Sequence, residues 1–311
     1  MPMTRREFTK ASAGTIAATT VTGLTPHLPR ALGHQAEPLN WRRLNDKARV
    51  IEGMGGNALV MTSGEDALLV DTKIAAFGDA LHRFVGSGGF NVTQVINTHH
   101  HADHTGGNFA WSADTPILAH EIARERVLKQ HSTFSNSLKR GDPDATIPDA
   151  DAFAPTHTTP GDTEISVGKH KIVLRHFGPG HTDNDLVVFI PDENILHAGD
   201  LLFHKMHIFL DLKSGASSKG WMANVDELIK MCDATTTVIA GHGPVTTRRG
   251  LEQQRDYIRS LREEVAKAIK DGKSRKEAQR LQIKGTEKYN MPRGLPNALN
   301  AIFTEMTGSE D

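Results

Sequence analysis

The stretch Thr98-His-His-His-Ala-Asp-His-Thr-Gly-Gly-Asn108 decides the fold. It follows directly on Val92-Thr-Gln-Val-Ile-Asn97, an apolar, β-branched run of strand type. The useful pattern inside it is His99-x-His101-x-Asp103-His104. A tight turn after a buried strand throws alternate side chains to different sides. His99 and His101 then aim at one metal, and Asp103 and His104 at a second. Gly106 and Gly107 let the backbone pass close and begin a helix. Neutral imidazole and carboxylate suit zinc, with iron or manganese as substitutes. A bare run of three histidines would read as a solvated loop. An Asp-His-x-Gly-Gly continuation behind an apolar strand argues against that. His100, flanked by ligands on the opposite side, is expected to be exposed.

Three later points repeat one logic: an apolar strand ends, small residues follow, and a side chain able to bind metal sits there. Gly178-Pro-Gly-His181 follows the run 171–176, Leu196-His-Ala-Gly-Asp200 closes 195–197, and Val238-Ile-Ala-Gly-His242 closes 237–240. Each alone is weak. With residues 99–104 they complete two metal shells.

Outward from these points the chain alternates strands and helices. Residues 57–62 and 66–71 are strands joined by a turn at 63–65. Residues 74–85 have helical spacing and stop at Gly86. Strand 116–119, helix 121–130, four short strands between 163 and 197, helix 221–231, strand 237–240 and helix 251–270 follow. Residues 141–160 read as a Pro- and Asp-rich loop, and the wider loop 131–160 carries no diagnostic residue. Ser274 and Glu277 form a capping-box pattern. Leu299, Ile302, Phe303 and Met306 give the tail a helical apolar stripe. Sheets covered by helices, an α/β sandwich, are the expectation.

Composition narrows the function. The 311 residues are 38% hydrophobic and 23% charged, which excludes a disordered chain, a collagen and a membrane bundle. Lys and Arg number 36 against 37 Asp and Glu, so the basic excess of a dedicated nucleic-acid binder is missing. Cys232 is the single cysteine, which rules out an internal disulfide and an all-cysteine zinc site; it is expected to be buried and inert. Seventeen histidines point to metal held by imidazole and carboxylate.

In their order and spacing, His99-x-His101-x-Asp103-His104, His181, Asp200 and His242 resemble the metallo-β-lactamase superfamily, over about residues 48–250. The resemblance implies an αββα sandwich with its site at one edge, between the sheets. It implies that His99, His101 and His181 hold one zinc ion, that Asp103, His104 and His242 hold a second, and that Asp200 bridges them. Asp71 in Leu69-Val-Asp-Thr matches an aspartate of that family that steadies a ligand from behind. Metal of this kind lowers the pKa of water from about 15.7 to about 7. The implied reaction is attack by a metal-bridging hydroxide on an amide, lactone or ester carbonyl, with Asp103 orienting it and handling its proton. His204 and His207, just after Asp200, are candidates to line the pocket of a small-molecule substrate, the alternative being a surface loop.

Within that superfamily three branches stay open. Gly178-Pro-Gly-His-Thr-Asp-Asn-Asp-Leu-Val-Val-Phe189 resembles class B β-lactamases. The largest subclass of those carries Arg where this chain has His104 and Cys where it has Asp200. These two residues look more like glyoxalase II, lactonases and general hydrolases. Tyr257 and Tyr289 do not map onto a glutathione-binding pattern. A β-lactamase-like hydrolase therefore ranks first, a glyoxalase II-like thioesterase second, and a mono-iron persulfide dioxygenase third.

The beginning of the chain reads as an address. Thr4-Arg-Arg-Glu-Phe-Thr-Lys10 precedes residues 11–29, which carry no formal charge. The pattern resembles a bacterial twin-arginine signal, too weakly apolar for a membrane anchor. The expected organisation is a signal at 1–36, a catalytic domain at 37–250, and a helical extension at 251–311 docking on the sandwich. The expected partner is the twin-arginine export machinery, and the expected location is periplasmic or extracellular. Oligomeric state is not readable from the residues.

Overall fold

Two hairpins open the folded part: β1 (Asn40–Arg43) with β2 (Ala48–Glu52), and β3 (Ala58–Ser63) with β4 (Asp66–Val70). In this computed structural model the described residues are 39–111, 115–291 and 294–308; the expected signal at 1–36 lies outside them. Helix α1 (Gly78–Ser87) carries the chain across to β5 (Asn91–Ile96), parallel to β4. After α2 (Ala102–Thr105) comes β6 (Ile117–His120). Then α3 (Glu121–Leu128), α4 (His131–Gly141) and α5 (Ala150–Phe153) lead to β7 (His157–Thr159). These seven strands form one sheet in chain order, antiparallel to β4 and parallel beyond it.

The second sheet is a meander of β8 (Thr163–Val167), β9 (His170–Arg175), β10 (Val187–Ile190) and β11 (Ile195–His197). Helix α6 (Ser218–Met231) then returns the chain to β12 (Thr237–Ile239), parallel to β11. A parallel neighbour needs such a crossover. Helices α7 (Arg248–Lys270), α8 (Arg275–Ala278) and α9 (Gly294–Thr307) complete the chain.

The period-2 alternation of the strands explains the layering. Leu59, Met61, Leu68 and Val70 face the second sheet and meet Ile172, Leu174, Val188 and Ile239. Their neighbours Ala58, Val60, Ala67 and Leu69 face outward onto Leu81 and Val85 of α1. On the other side, Leu196 and Val238 pack on Trp221, Val225 and Leu228 of α6 and on Leu251, Ile258 and Leu261 of α7. Each fully buried side chain of this size contributes about 1.5–3 kcal/mol. The result is the expected αββα sandwich.

Helix α9 joins the same apolar cluster as α6 and α7 through Leu295, Leu299 and Ile302. Glu305 adds a polar tie, accepting from Ser217 Oγ at 3.0 Å and the Ser218 amide at 2.9 Å. The capping box of Ser274 and Glu277 is formed in full. Cys232 caps α6; burial pushes its thiol up to about 11, which leaves it inert at neutral pH.

Some elements depart from expectation. The stretch 131–141, read as loop, is α4. It buries Phe134, Ser137, Leu138 and Gly141, one helical stripe hidden among Ser, Asn and Thr, which compete with the backbone for hydrogen bonds. The 141–160 loop contains α5 and the three-residue β7. Hairpin strands β1 and β2 also escape pattern reading, because β1 is largely exposed and charged. Among the described residues no helix is long and apolar enough to cross a membrane.

Candidate metal centre

The carboxyl ends of β4, β5, β11 and β12 converge at one edge of the sandwich. Asp71 follows β4, residues 98–104 follow β5, Asp200 follows β11 and His242 follows β12. His181 stands in the β9–β10 connection, whose turn is clamped by Asp185: the Thr182 amide donates to its Oδ2 at 2.9 Å and Thr182 Oγ1 to its Oδ1 at 2.6 Å. The sheets are stitched here. Asn57 Nδ2 donates to the carbonyls of Ala240 at 2.9 Å and Gly243 at 2.8 Å, and the Leu186 amide donates to Thr98 O at 2.6 Å.

All seven expected ligands gather at this edge. His99, His101, His181 and Asp200 form one group of donor atoms within 4.8 Å of one another; Asp103, His104 and His242 form a second. Asp200 touches both. Its Oδ2 lies 3.4 Å from His181 Nε2 and 3.3 Å from His242 Nε2, and its Oδ1 lies 3.2 Å from His104 Nε2. Asp103 Oδ2 lies 3.2 Å from His242 Nε2.

The far side of each histidine fixes its tautomer. His104 Nδ1 donates to Asp71 Oδ2 at 2.7 Å, so Asp71 sits behind the His104 ring. His181 Nδ1 donates to Phe209 O at 2.8 Å, and His101 Nε2 to Asp211 Oδ2 at 2.9 Å. Thr98 Oγ1 gives its proton to Asp71 Oδ2 at 2.8 Å, so it accepts from His99 Nδ1 at 3.1 Å. The inward nitrogens of His99, His101 and His181 are therefore lone pairs. His99 Nε2 and His181 Nε2 approach His101 Nδ1 to 3.1 and 3.0 Å with no proton left to share. Asp200 Oδ1 is buried without a hydrogen-bond partner of good geometry. Convergent lone pairs beside an orphaned carboxylate oxygen fit a cation.

The two groups differ electrically. Burial holds His99 well below the usual histidine range and His181 down to about 3, so both are neutral. Burial also opposes charge on His104 and His242. There the carboxylates outweigh it: Asp200, Asp103 and Asp71 hold His104 well above the usual range, and Asp200 with Asp103 raises His242 to about 9. A field that favours a proton also favours a divalent cation.

Backbone approaches the centre closely at two glycines. A methyl group on Gly56 would strike the His104 ring, and one on Gly241 would strike Asp200 Oδ1. Behind them Lys73 is fully buried, its Nζ donating to Ile51 O at 2.7 Å and Gly56 O at 2.5 Å. Burial pulls that amine down to about 7, against the pull of Asp71. Asp71 and Lys73 have φ of 63° and 70°, left-handed backbone carried by non-glycine residues directly behind His104, the sort of strain found at functional sites.

Three expectations need correction or completion. His100 is not exposed. It is buried, with Asn184 Nδ2 3.0 Å from its Nδ1 and Ser214 Oγ 3.1 Å from its Nε2, and burial takes it down to about 3. His204 and His207 are not among the residues lining the cavity over the centre. His204 Nδ1 binds Pro244 O and His207 Nδ1 binds Tyr257 Oη. That cavity, about 320 Å³, is walled instead by Phe203, Phe209 and Met291 beside His101, Asp103 and His242. Sequence reading also missed Asp211 and Lys73, which belong to no spaced motif.

An αββα sandwich with paired histidine–carboxylate groups at its strand ends defines a metal-dependent hydrolase. Residues 51–267 match the model of the Metallo-beta-lactamase superfamily, and the chain belongs to that family. It is 24% identical over 224 residues to the probable metallo-hydrolase YqgX of Bacillus subtilis, covering 71% of this chain and 98% of that one. To the metallo-beta-lactamase type 2 of Bacillus cereus it is 25% identical over 215 residues, covering 67% and 75%. A hydroxyacylglutathione hydrolase of Nitrosococcus oceani is 28% identical over 54% of this chain and 55% of its own length. In structure, a metallo-beta-lactamase from Pontibacter korlensis superposes with a TM-score of 0.57 at 20% identity, covering 71% of this chain and 99% of that one.

Proposed function

We propose that this chain is an exported hydrolase that opens an amide, lactone or ester carbonyl with two zinc ions. His99, His101 and His181 would hold the first ion, Asp103, His104 and His242 the second, and Asp200 both. The observation that carries the reading is the convergence of unprotonated imidazole nitrogens around the orphaned Asp200 carboxylate. When bound, such metals polarise a carbonyl oxygen and bring the pKa of water toward about 7.

The chain's own residues would do the rest. Asp103 is about one-third exposed at the cavity floor, where its carboxylate can accept and pass on a proton. Burial opposes its ionisation, but His104 and His242 hold it well below the usual carboxylate range. Phe209 and Met291 are 45% and 43% exposed at this one cavity, beside the buried Phe203. Large exposed apolar side chains mark a binding surface, here for a substrate with an apolar group next to its reacting carbonyl.

The test is a panel of β-lactam, lactone, ester, thioester and phosphodiester substrates given to protein stripped of metal and resupplied with zinc. Zinc-restored hydrolysis of an oxygen or nitrogen acyl bond is expected. Preference for the thioester would favour the second reading, which the hydroxyacylglutathione hydrolase relative supports. Phosphodiester turnover alone, or oxygen consumption with iron only, would overturn both.

We also propose that residues 1–36 direct export by the twin-arginine route, ahead of a catalytic domain at 37–250 and an extension at 251–311. Arg5→Lys with Arg6→Lys keeps the charge but removes the paired guanidinium groups. The double variant should stay in the cytoplasm of a bacterial host while the parent chain reaches the periplasm. Equal periplasmic yields would reject the route.

A further inference from the structure

The loop that walls the metal centre has a second side. Phe209 and Asp211 face the centre, while His207 lines a separate cavity of about 460 Å³ with residues between 279 and 289 and with Leu295 and Pro296. A volume of this size suits a small organic ligand. His207 is 5% exposed, and its Nδ1 lies 2.7 Å from Tyr257 Oη. Tyr257 is buried, and its hydroxyl has no other partner among the described residues. A buried hydroxyl must place its proton somewhere, so it donates to Nδ1. The imidazole proton is then on Nε2. That N–H is a donor on a buried ring, with no partner among the described residues, in a residue that lines the cavity.

Two further lining residues carry donors: Tyr289, whose hydroxyl is also without a partner among the described residues, and Lys284, which is exposed. Ile283, Leu295 and Pro296 give an apolar side. Glu287, an acid in the lining, turns Oε1 onto the Gly285 amide at 2.9 Å. Donors and apolar carbon in one lining match an acid with a short hydrocarbon tail. We infer that this cavity is a second small-molecule site that takes a small amphipathic carboxylate. The site stands apart from the metal ligands, so it does not depend on which bond the centre breaks. It is tied to the centre's rim, however: the His207 amide donates to Asn290 O at 3.1 Å, next to Met291.

Calorimetric titration of the metal-loaded full chain with hexanoate tests this, with 1-hexanol as the uncharged control. The parent chain should show a saturable hexanoate step that hexanol does not reproduce. Tyr289→Phe with Lys284→Gln should weaken that step by at least about tenfold, the loss of one hydrogen bond to a charged group or more. Melting temperature and hydrolytic rate should be unchanged. If the double variant fails to melt cooperatively, Tyr289→Phe alone decides, with an expected weakening of about threefold or more. Absence of a saturable step, or an isotherm unchanged in the variants, would overturn the inference. An unchanged isotherm would place the carboxylate at the metal centre instead.

Discussion

Asp103→Ala lowers kcat/KM by on the order of 10²–10⁴-fold, the span of a positioned acid–base group. His157→Ala, on the exposed edge strand β7, leaves it unchanged. The expectation rests on place. Asp103 is the most open of the carboxylates in the two groups, at 33% side-chain exposure against 3% for Asp200. It is also held ionised by its two histidine neighbours, the state in which it can hold a metal. Removing it strips a candidate ligand and a proton acceptor together. Steady-state kinetics with metal content measured alongside separates these effects. A variant that keeps full metal and full rate would remove Asp103 from both roles. His100→Ala is not a silent control for this comparison, although its sequence position suggests one. Its ring bridges Asn184 and Ser214, so its loss would loosen the turns that carry His181 and Asp211.

That contrast shows how far the residues alone could be read. Ligands at strand ends follow a rule: an apolar run stops, glycines open the turn, and the next polar side chain faces the gap between sheets. The rule finds His99, His101, Asp103, His104, His181, Asp200 and His242, while Asp71 comes from the family resemblance. It says nothing of which histidine in an unbroken run faces inward. His100 is buried because Asn184 and Ser214, 84 and 114 residues away, happen to meet it. Asp211 and Lys73 are equally silent. The first gains meaning only from the path of the loop after Asp200, and the second from burial beneath two carbonyls. His204 and His207 mislead for the same reason. Proximity in sequence to Asp200 placed them at the pocket, but the loop turns their rings to Pro244 and Tyr257 and leaves phenylalanines at the rim. Helix α4 was hidden differently, its apolar stripe reduced to Phe134 and Leu138 among polar residues.

The two metal groups should part company on acidification, the second emptying before the first. Metal binds imidazole only after displacing any proton on the same nitrogen. His99 and His181 are held low, His181 to about 3, so protons do not compete there until strong acid. His242 is raised to about 9 and His104 well above its usual range, so both ring nitrogens carry protons that a metal must expel. The sign follows directly. Below about pH 9 the affinity of the second group falls as pH falls, by about tenfold per unit for each proton displaced. From pH 8.5 to 5.5 that is on the order of 10³-fold for one proton, while the first group stays nearly flat. Equilibrium dialysis against limiting zinc, followed by elemental analysis, should give two equivalents at the upper pH and one at the lower. Asp71→Asn should flatten the pH dependence of the second group, because it removes a carboxylate that raises His104, and should weaken that group's affinity by about 10–100-fold throughout. Both equivalents leaving together in one step would mean that Asp200 couples the two groups so tightly that they act as one site.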